Sequence, residues 1–353
     1  MAVRFGWVQV SSAVLIGSSI FVTAHPAAAQ THPGLGCWEK LAPQTLVEVN
    51  HVQKNSEHFA SRQVKANATR RPAGLLLSYG RQRTAFSAGL IVGWGETGHR
   101  PTFDLVTAVG PSAVIAPFAF VGSAGDQAIA ESFHCKAQSW TDMVHNAMQH
   151  LNERMLARIR QGHDEGRRLI IALKGSAARP QTVWDIGKIA ASRHSDALKQ
   201  IKTILAASVD LTTRVPTPGA PIKAGQLSQR NHTFRVVGAG QPFVFQPRLG
   251  ERVAHWFVVH NSVLFDDEVA RYSRQRRSNT IKSYVSDEIF LRPLFDVLGH
   301  ARQSGAGFRL AVVQPRRWFY PLTEFDQKFM REVFLRAYRY ARMGRLMQSQ
   351  SIQ

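Results

Sequence analysis

The chain has 353 residues, of which 44% are hydrophobic and 19% charged. This excludes a chain-long disordered protein and leaves room for one large domain or two modest ones. The 2 cysteines are too few for a disulfide-stapled miniprotein or a cysteine-rich zinc fold, and 44 Lys+Arg against 24 Asp+Glu give a net charge of +20, which predicts attraction to something anionic.

Residues 1–29 read as a secretory signal peptide. Arg4 supplies a positive n-region, an apolar stretch runs from about Val8 to Val22, and Ala27-Ala28-Ala29 offers a small-residue cleavage site before Gln30. The Ser and Gly residues in that stretch make it a poor spanning helix, which needs ~20 predominantly apolar residues. No later segment reads as long and apolar enough to cross a bilayer. The expected location is therefore secreted or periplasmic, with cleavage near Ala29. Gly36-Cys37 ends like a lipoprotein cleavage site. Gly34, however, stands where a larger apolar residue is wanted, and the site lies well past the apolar core, so lipid anchoring at Cys37 is disfavoured. An oxidising compartment makes Cys37 and Cys135 candidates for one disulfide, with two unpaired thiols as the alternative.

Residues 30–71 form a polar lead-in with one short expected helix, and 72–353 form the main domain. The first strand is expected at Gly74–Ser78, a short apolar run flanked by turn formers, followed by a helix over Ala85–Trp94 and a loop over Gly95–Pro101. Phe103–Val109 is the next strand, Ser112–Ala119 a buried apolar helix, Ser139–Gln161 one amphipathic helix, and Arg168–Leu173 a buried strand. Further strands fit Phe234–Val237, Trp256–Val259 and Phe308–Val313. A C-terminal helix is expected over Phe325–Arg345. Phe325, Phe329 and Val333 lie roughly on one side, and Lys328, Arg331, Arg336, Arg339 and Arg342 on the others. Strands alternating with helices predict an α/β fold with a mostly parallel sheet. There is no internal repeat and no low-complexity tract.

Three stretches carry a resemblance. Ser78-Tyr79-Gly80-Arg81-Gln82-Arg83-Thr84-Ala85-Phe86-Ser87-Ala88-Gly89-Leu90 is followed by Gly93-Trp94-Gly95-Glu96-Thr97-Gly98-His99-Arg100-Pro101 and then by Phe103-Asp104-Leu105-Val106-Thr107-Ala108-Val109-Gly110-Pro111-Ser112, ending in Ile115-Ala116-Pro117-Phe118-Ala119-Phe120. In residue type and spacing these resemble the bacterial patatin-like phospholipase family. Arg179-Pro180 to Gly187, Ala206-Ala207-Ser208 and the C-terminal third are similar to family segments too. The resemblance implies a three-layer patatin-like α/β fold, a central mostly parallel sheet flanked by helices, and no cofactor.

It also implies where the chemistry would lie. The family nucleophile is a serine in a G-x-S-x-G turn between strand and helix, the base is an Asp, and a glycine-rich loop after the first strand supplies oxyanion donors worth about 3 kcal/mol each. At the matching positions this chain has Gly110 for the nucleophile and Val237 for the Asp. Ala108 and Ser112 replace the flanking glycines. In the oxyanion loop Gly80 survives, but Tyr79, Arg81 and Thr84 replace glycines. Bulky groups there are expected to crowd the acyl site and to resist φ > 0. The family approach turn is also replaced, by Asp210 to Thr217. The resemblance thus implies a patatin fold that has lost the patatin reaction and keeps a lipid-facing scaffold, expected to bind anionic lipid or a protein partner.

The competing reading is a residual or relocated acyl-ester hydrolase using Ser112. Against it stands a structural role, Ser112 capping its own helix behind Pro111. Asp210 and Asp185 are the candidate bases for that hydrolase, with membership of a structural Trp-Asp-Ile-Gly turn as the plainer reading of Asp185. The 14 histidines show no metal spacing such as H-E-x-x-H. His134 beside Cys135 is a dipeptide only, and His255 and His260 flank a strand, where they are expected to cap it or face solvent. Basic residues cluster at Arg81 and Arg83, at Arg274, Arg276 and Arg277, and at Arg316-Arg317 before Trp318. Their functional reading is an anion-binding surface for phospholipid or an acidic polymer, at about 1 kcal/mol per basic residue. Nucleic acid is not expected for an exported chain, and a merely solvated basic face is the plainer alternative.

Overall fold

The computed structural model describes residues 71–133, 137–173, 182–209, 243–245, 250–261, 287–313, 323 and 325–344. The lead-in, the signal region, Cys37, Cys135, His134, the expected strand Phe234–Val237, the turn from Asp210 to Thr217 and the arginines at 274, 276, 277, 316 and 317 lie outside the described residues.

Six strands form one sheet in the order β4-β3-β2-β1-β5-β6. They are β1 (Ala73–Leu77), β2 (Leu105–Val109), β3 (Arg168–Leu173), β4 (Thr182–Asp185), β5 (His255–His260) and β6 (Gly307–Val312). All neighbours pair in parallel except β3 and β4. Parallel strands buried on both faces read as continuous apolar runs. Alternation then divides them between two cores: Leu75 and Leu77 enter one and Leu76 the other, as do Leu169 and Ile171 against Ile170, and Phe257 and Val259 against Trp256 and Val258. The first core is completed by helices α1 (Thr84–Glu96), α2 (Ala116–Val121), α3 (Asp126–Ser132), α4 (Trp140–His150), α5 (Glu153–Asp164), α6 (Ile186–Ala191), α7 (Ala197–Val209) and α9 (Gln327–Arg342). The second is covered by α8 (Asp287–Ser304), with Phe243 and Val244. The architecture is therefore a three-layer α/β fold.

The pairing of α1 with α9 explains Gly89, Gly93 and Glu96. A side chain at Gly89 would collide with the Phe334 backbone, its Cβ 2.8 Å from the carbonyl carbon. At Gly93 a Cβ would fall 2.8 Å from Ala341 Cβ and overlap the Tyr338 carbonyl. Four residues apart on one helix, the two glycines let a second backbone approach. Beyond them, Tyr338 Oη donates to Glu96 Oε2 at 2.7 Å and Arg342 Nε lies 3.2 Å from the same oxygen. Arg100 donates to the Ile91 carbonyl at 2.6 Å and pairs with Asp126 at 2.7 Å.

Several boundaries differ from the sequence reading, each for a local reason. The helix expected over Ser139–Gln161 is two helices, because the Asn152 side chain accepts the Met155 N–H at 3.1 Å and starts α5 afresh. The helix expected over Ser112–Ala119 is a 3-10 turn, Gly110–Val114, followed by α2 with Pro117 in its first turn. The C-terminal helix begins at Gln327, where the Asp326 carboxylate accepts the Phe329 N–H at 2.9 Å. Helix α1 extends to Glu96 into the expected loop. Contrary to the reading that no later segment is long and apolar enough to span a bilayer, Gly110–Ser132, of 23 residues, meets that test. It is a core segment, mostly buried and broken into short helical pieces, with Gly122 at φ +85°.

Candidate functional site

In an open parallel sheet the natural crevice lies outside the carboxyl ends of the strands, where the winding reverses. Here β1 has β2 on one side and β5 on the other, so the reversal falls between β1 and β5. The residues at these ends are Ser78-Tyr79-Gly80 after β1, Gly110-Pro111-Ser112 after β2, and His260-Asn261 closing β5.

Gly110 has φ +60°, a left-handed conformation at a sharp strand-to-helix turn. Such a turn is the setting that exposes a nucleophile in α/β hydrolases. A side chain at 110 would find its space taken: a Cβ there would lie 2.8 Å from Tyr79 Cε2 and closer still to Cδ2. The Tyr79 ring therefore fills the space beside Gly110.

Across the reversal, a Cβ at Gly80 would fall 3.0 Å from Asn261 Cγ and overlap Asn261 Cβ. Gly80 has φ −154°, so close approach rather than backbone strain explains the glycine. Asn261 joins the ends of β1, β2 and α1. Its backbone N–H donates to Ser78 Oγ at 2.7 Å, and its Nδ2 donates to the Ser78 carbonyl at 2.8 Å and to Ser112 Oγ at 3.0 Å. Its Oδ1 accepts from Ser87 Oγ at 2.6 Å and from the Ser87 N–H at 3.2 Å. Asn261, Ser78, Ser87 and Ser112 are all fully buried. Sequence reasoning missed Asn261; the only available signal was a polar residue directly after an apolar strand.

Ser112 does not cap its own helix, which corrects the expected structural role. Val109 stands at the cap position of the turn, and the Ser112 hydroxyl instead donates across to the Ser78 carbonyl at 2.6 Å. Among the described residues no carboxylate or imidazole is bonded to it, whereas an activated serine needs a base within hydrogen-bond reach.

The loop after β1 is braced. Gln82 donates to the Thr323 carbonyl and accepts from the Asp326 N–H, both at 2.6 Å, which ties the loop to the start of α9. Arg81 adopts φ 43° despite its side chain, so the expectation that a non-glycine residue here resists φ > 0 does not hold. Arg83 is only 4% exposed and Thr84 fully buried, leaving Arg81 as the loop arginine with appreciable solvent-facing surface. His260 is buried, not solvent-facing as expected, and packs on Phe243 with ring centroids 5.7 Å apart. Burial, and secondarily the Arg83 charge, lower its pKa to about 4. His255 is half-buried, and its pKa is lowered by burial and then by Arg71 and Arg309. Asp185 caps α6 by accepting the Lys188 N–H at 2.8 Å, in keeping with the turn expected there. Among the described residues no group of His, Cys, Asp or Glu is placed to hold a metal ion. Val237 lies outside the described residues.

The chain matches no protein-family model and no curated protein sequence. The arrangement at the strand ends holds hydroxyls and an amide in mutual hydrogen bonds, with no acid–base pair aimed at an open cleft among the described residues.

Proposed function

We propose that this chain is an exported, non-catalytic homologue of patatin-like phospholipases that acts by binding an anionic lipid surface or an acidic partner through its basic exterior. One observation carries the loss of catalysis. The residue at the nucleophile position is Gly110, in the elbow conformation, with the Tyr79 ring in the space its side chain would need. Glycine has no group to attack a carbonyl. Val237 at the position of the family Asp adds to the reading from sequence. The net charge of +20 supports the binding role, and the pattern in residues 1–29 supports export.

The test is turnover of p-nitrophenyl butyrate by the processed protein, alongside labelling by a fluorophosphonate probe. Neither is expected to exceed a protein-free blank. Turnover and labelling that both vanish in Ser112→Ala would overturn the reading and make the chain a relocated acyl-ester hydrolase.

A further inference from the structure

Helix α8 covers the second core with Leu294, Val297 and Ala301. Its opposite side carries Phe295 and Gly299, four residues apart, then Arg302 and Gln303, three and four residues further on, so all four share one face. Phe295 is 56% exposed, the highest value among the large hydrophobic side chains described. Asp296, Arg302 and Gln303 are exposed as well.

Gly299 is the informative residue. A glycine inside a helix destabilises it relative to alanine, so it needs a reason such as a close neighbour. At Gly89, Gly93, Gly95, Gly162 and Gly187, the glycines of the other described α-helices, a Cβ would come within 3.0 Å of another part of the chain. At Gly299 a Cβ would have nothing within 4 Å. The fold itself brings no neighbour to this glycine, and the most exposed large apolar side chain stands one turn away on the same face.

The charges identify the neighbour. Asp296 precedes Gly299 by three positions and Arg302 follows it by three, so the two flank it on opposite sides of the face. When the helix is set antiparallel to itself about a two-fold axis at Gly299, Asp296 of each copy comes level with Arg302 of the other. Both charges then meet their opposites, as a self-complementary interface requires. Phe295 lies alongside Arg302 and Gln303 of the second copy, and the two backbones cross where neither carries a side chain. The balance of one acid and one base also matters in a chain of net charge +20, most of whose exterior repels a second copy. A polyanion or an acidic membrane would be matched by an excess of positive charge, which this face lacks.

We propose that the outward face of α8 is the interface of a two-fold symmetric dimer, its helices crossing antiparallel at Gly299 with Asp296 paired to Arg302 in both directions. One helix face is small beside the ~800 Å² per partner of a standard interface, so the dimer dissociates on dilution. Neither the ligand of the basic exterior nor the chemistry of the cleft bears on this pairing.

The experiment is sedimentation velocity of the processed protein over a concentration series. The parent is compared with Gly299→Leu, with Asp296→Arg, with Arg302→Asp, and with an equimolar mixture of the two charge variants. Circular dichroism and a thermal melt establish that each is folded. The parent is expected to pass from monomer to dimer as concentration rises. Gly299→Leu holds the backbones apart, and each charge variant sets like charges against each other twice per dimer. Each should therefore associate at least about tenfold more weakly than the parent. In the mixture a heterodimer regains two pairs of opposite charge, and association should return close to the parent's.

A parent that stays monomeric throughout the series would overturn the proposal. So would a dimer that Gly299→Leu and both charge variants leave undiminished, which would place the interface elsewhere. Two weakened charge variants whose mixture associates no better than either alone would overturn the antiparallel pairing about Gly299.

Discussion

The ring of Tyr79 lies where a side chain on residue 110 would have to go, 2.8 Å from the nearest possible Cβ to its Cε2 and closer to Cδ2. The two positions belong to adjacent strand ends, so a change at one is felt at the other. Gly110→Ser should destabilise the fold through two additive effects. Overpacking against the ring costs about 1–3 kcal/mol, and a non-glycine residue at φ +60° adds about 1 kcal/mol. Tyr79→Gly in the same background relieves the first effect and leaves the second. Urea denaturation of the two single variants and the double variant is therefore expected to give a coupling of about 1–3 kcal/mol. If the two costs simply add, the ring does not hold that space.

Asn261 ties the end of β5 to the ends of β1 and β2 and to α1. Asn261→Ala leaves the Ser87 hydroxyl and N–H without their acceptor, and removes the amide donor from the Ser78 carbonyl and Ser112. At about 1–3 kcal/mol for each buried group left unpaired, the expected loss is several kcal/mol. Ser112→Ala removes one hydroxyl from the same network and should cost about 1 kcal/mol, so it stays folded and serves as a fair control in the ester assay. Equal denaturation midpoints for Asn261→Ala and Ser112→Ala would show that Asn261 is not the centre of the network.

The parts of this fold legible in the sequence are those with a strong local signal. Leu75–Leu77 and Leu169–Ala172 read as strands because a sheet buried on both faces needs unbroken apolar runs. The resemblance singles out Gly110, and the structure has that glycine at φ +60° in the turn after β2. Strand β4 is only 4 residues long and antiparallel at the sheet edge, too short for alternation to show. Helix α8 carries Pro293 in its interior, which reads as a break rather than a helix. Asn261 was invisible because its partners are remote in the chain: Ser78 lies 183 positions away and Ser112 149. No local propensity records a hydrogen bond of that span.

Glycine has different functions at different places in α1 and its surroundings, and substitution separates them. Gly89→Ala and Gly93→Ala place a methyl against the backbone of α9, which cannot retreat without separating the two helices. Each should cost about 2 kcal/mol or more. Gly98 has φ +70° and open space where a Cβ would lie, so Gly98→Ala should cost only about 1 kcal/mol, from the backbone alone. Thermal melts of the three variants test the ranking; a Gly98→Ala melt as low as that of Gly93→Ala would contradict it.

His260 makes the stability of the fold depend on acid. Its imidazole is held from the ordinary 6.5 down to about 4, first by burial and then by the Arg83 charge. The folded state therefore binds a proton less readily than the unfolded chain. Stability from this group is fully present above pH 6.5, falls as the unfolded chain takes up its proton, and is lost by the time pH has fallen through about 4. At about 1.4 kcal/mol per pH unit the full effect is on the order of 3 kcal/mol. Carboxylates elsewhere impose their own acid dependence, so the informative quantity is a difference between parent and variant. His260→Gln removes the titrating group, and its urea stability should lose less than the parent's between pH 6.5 and 4. Parallel curves for the two proteins across that interval would mean that His260 titrates in the fold much as it does in water.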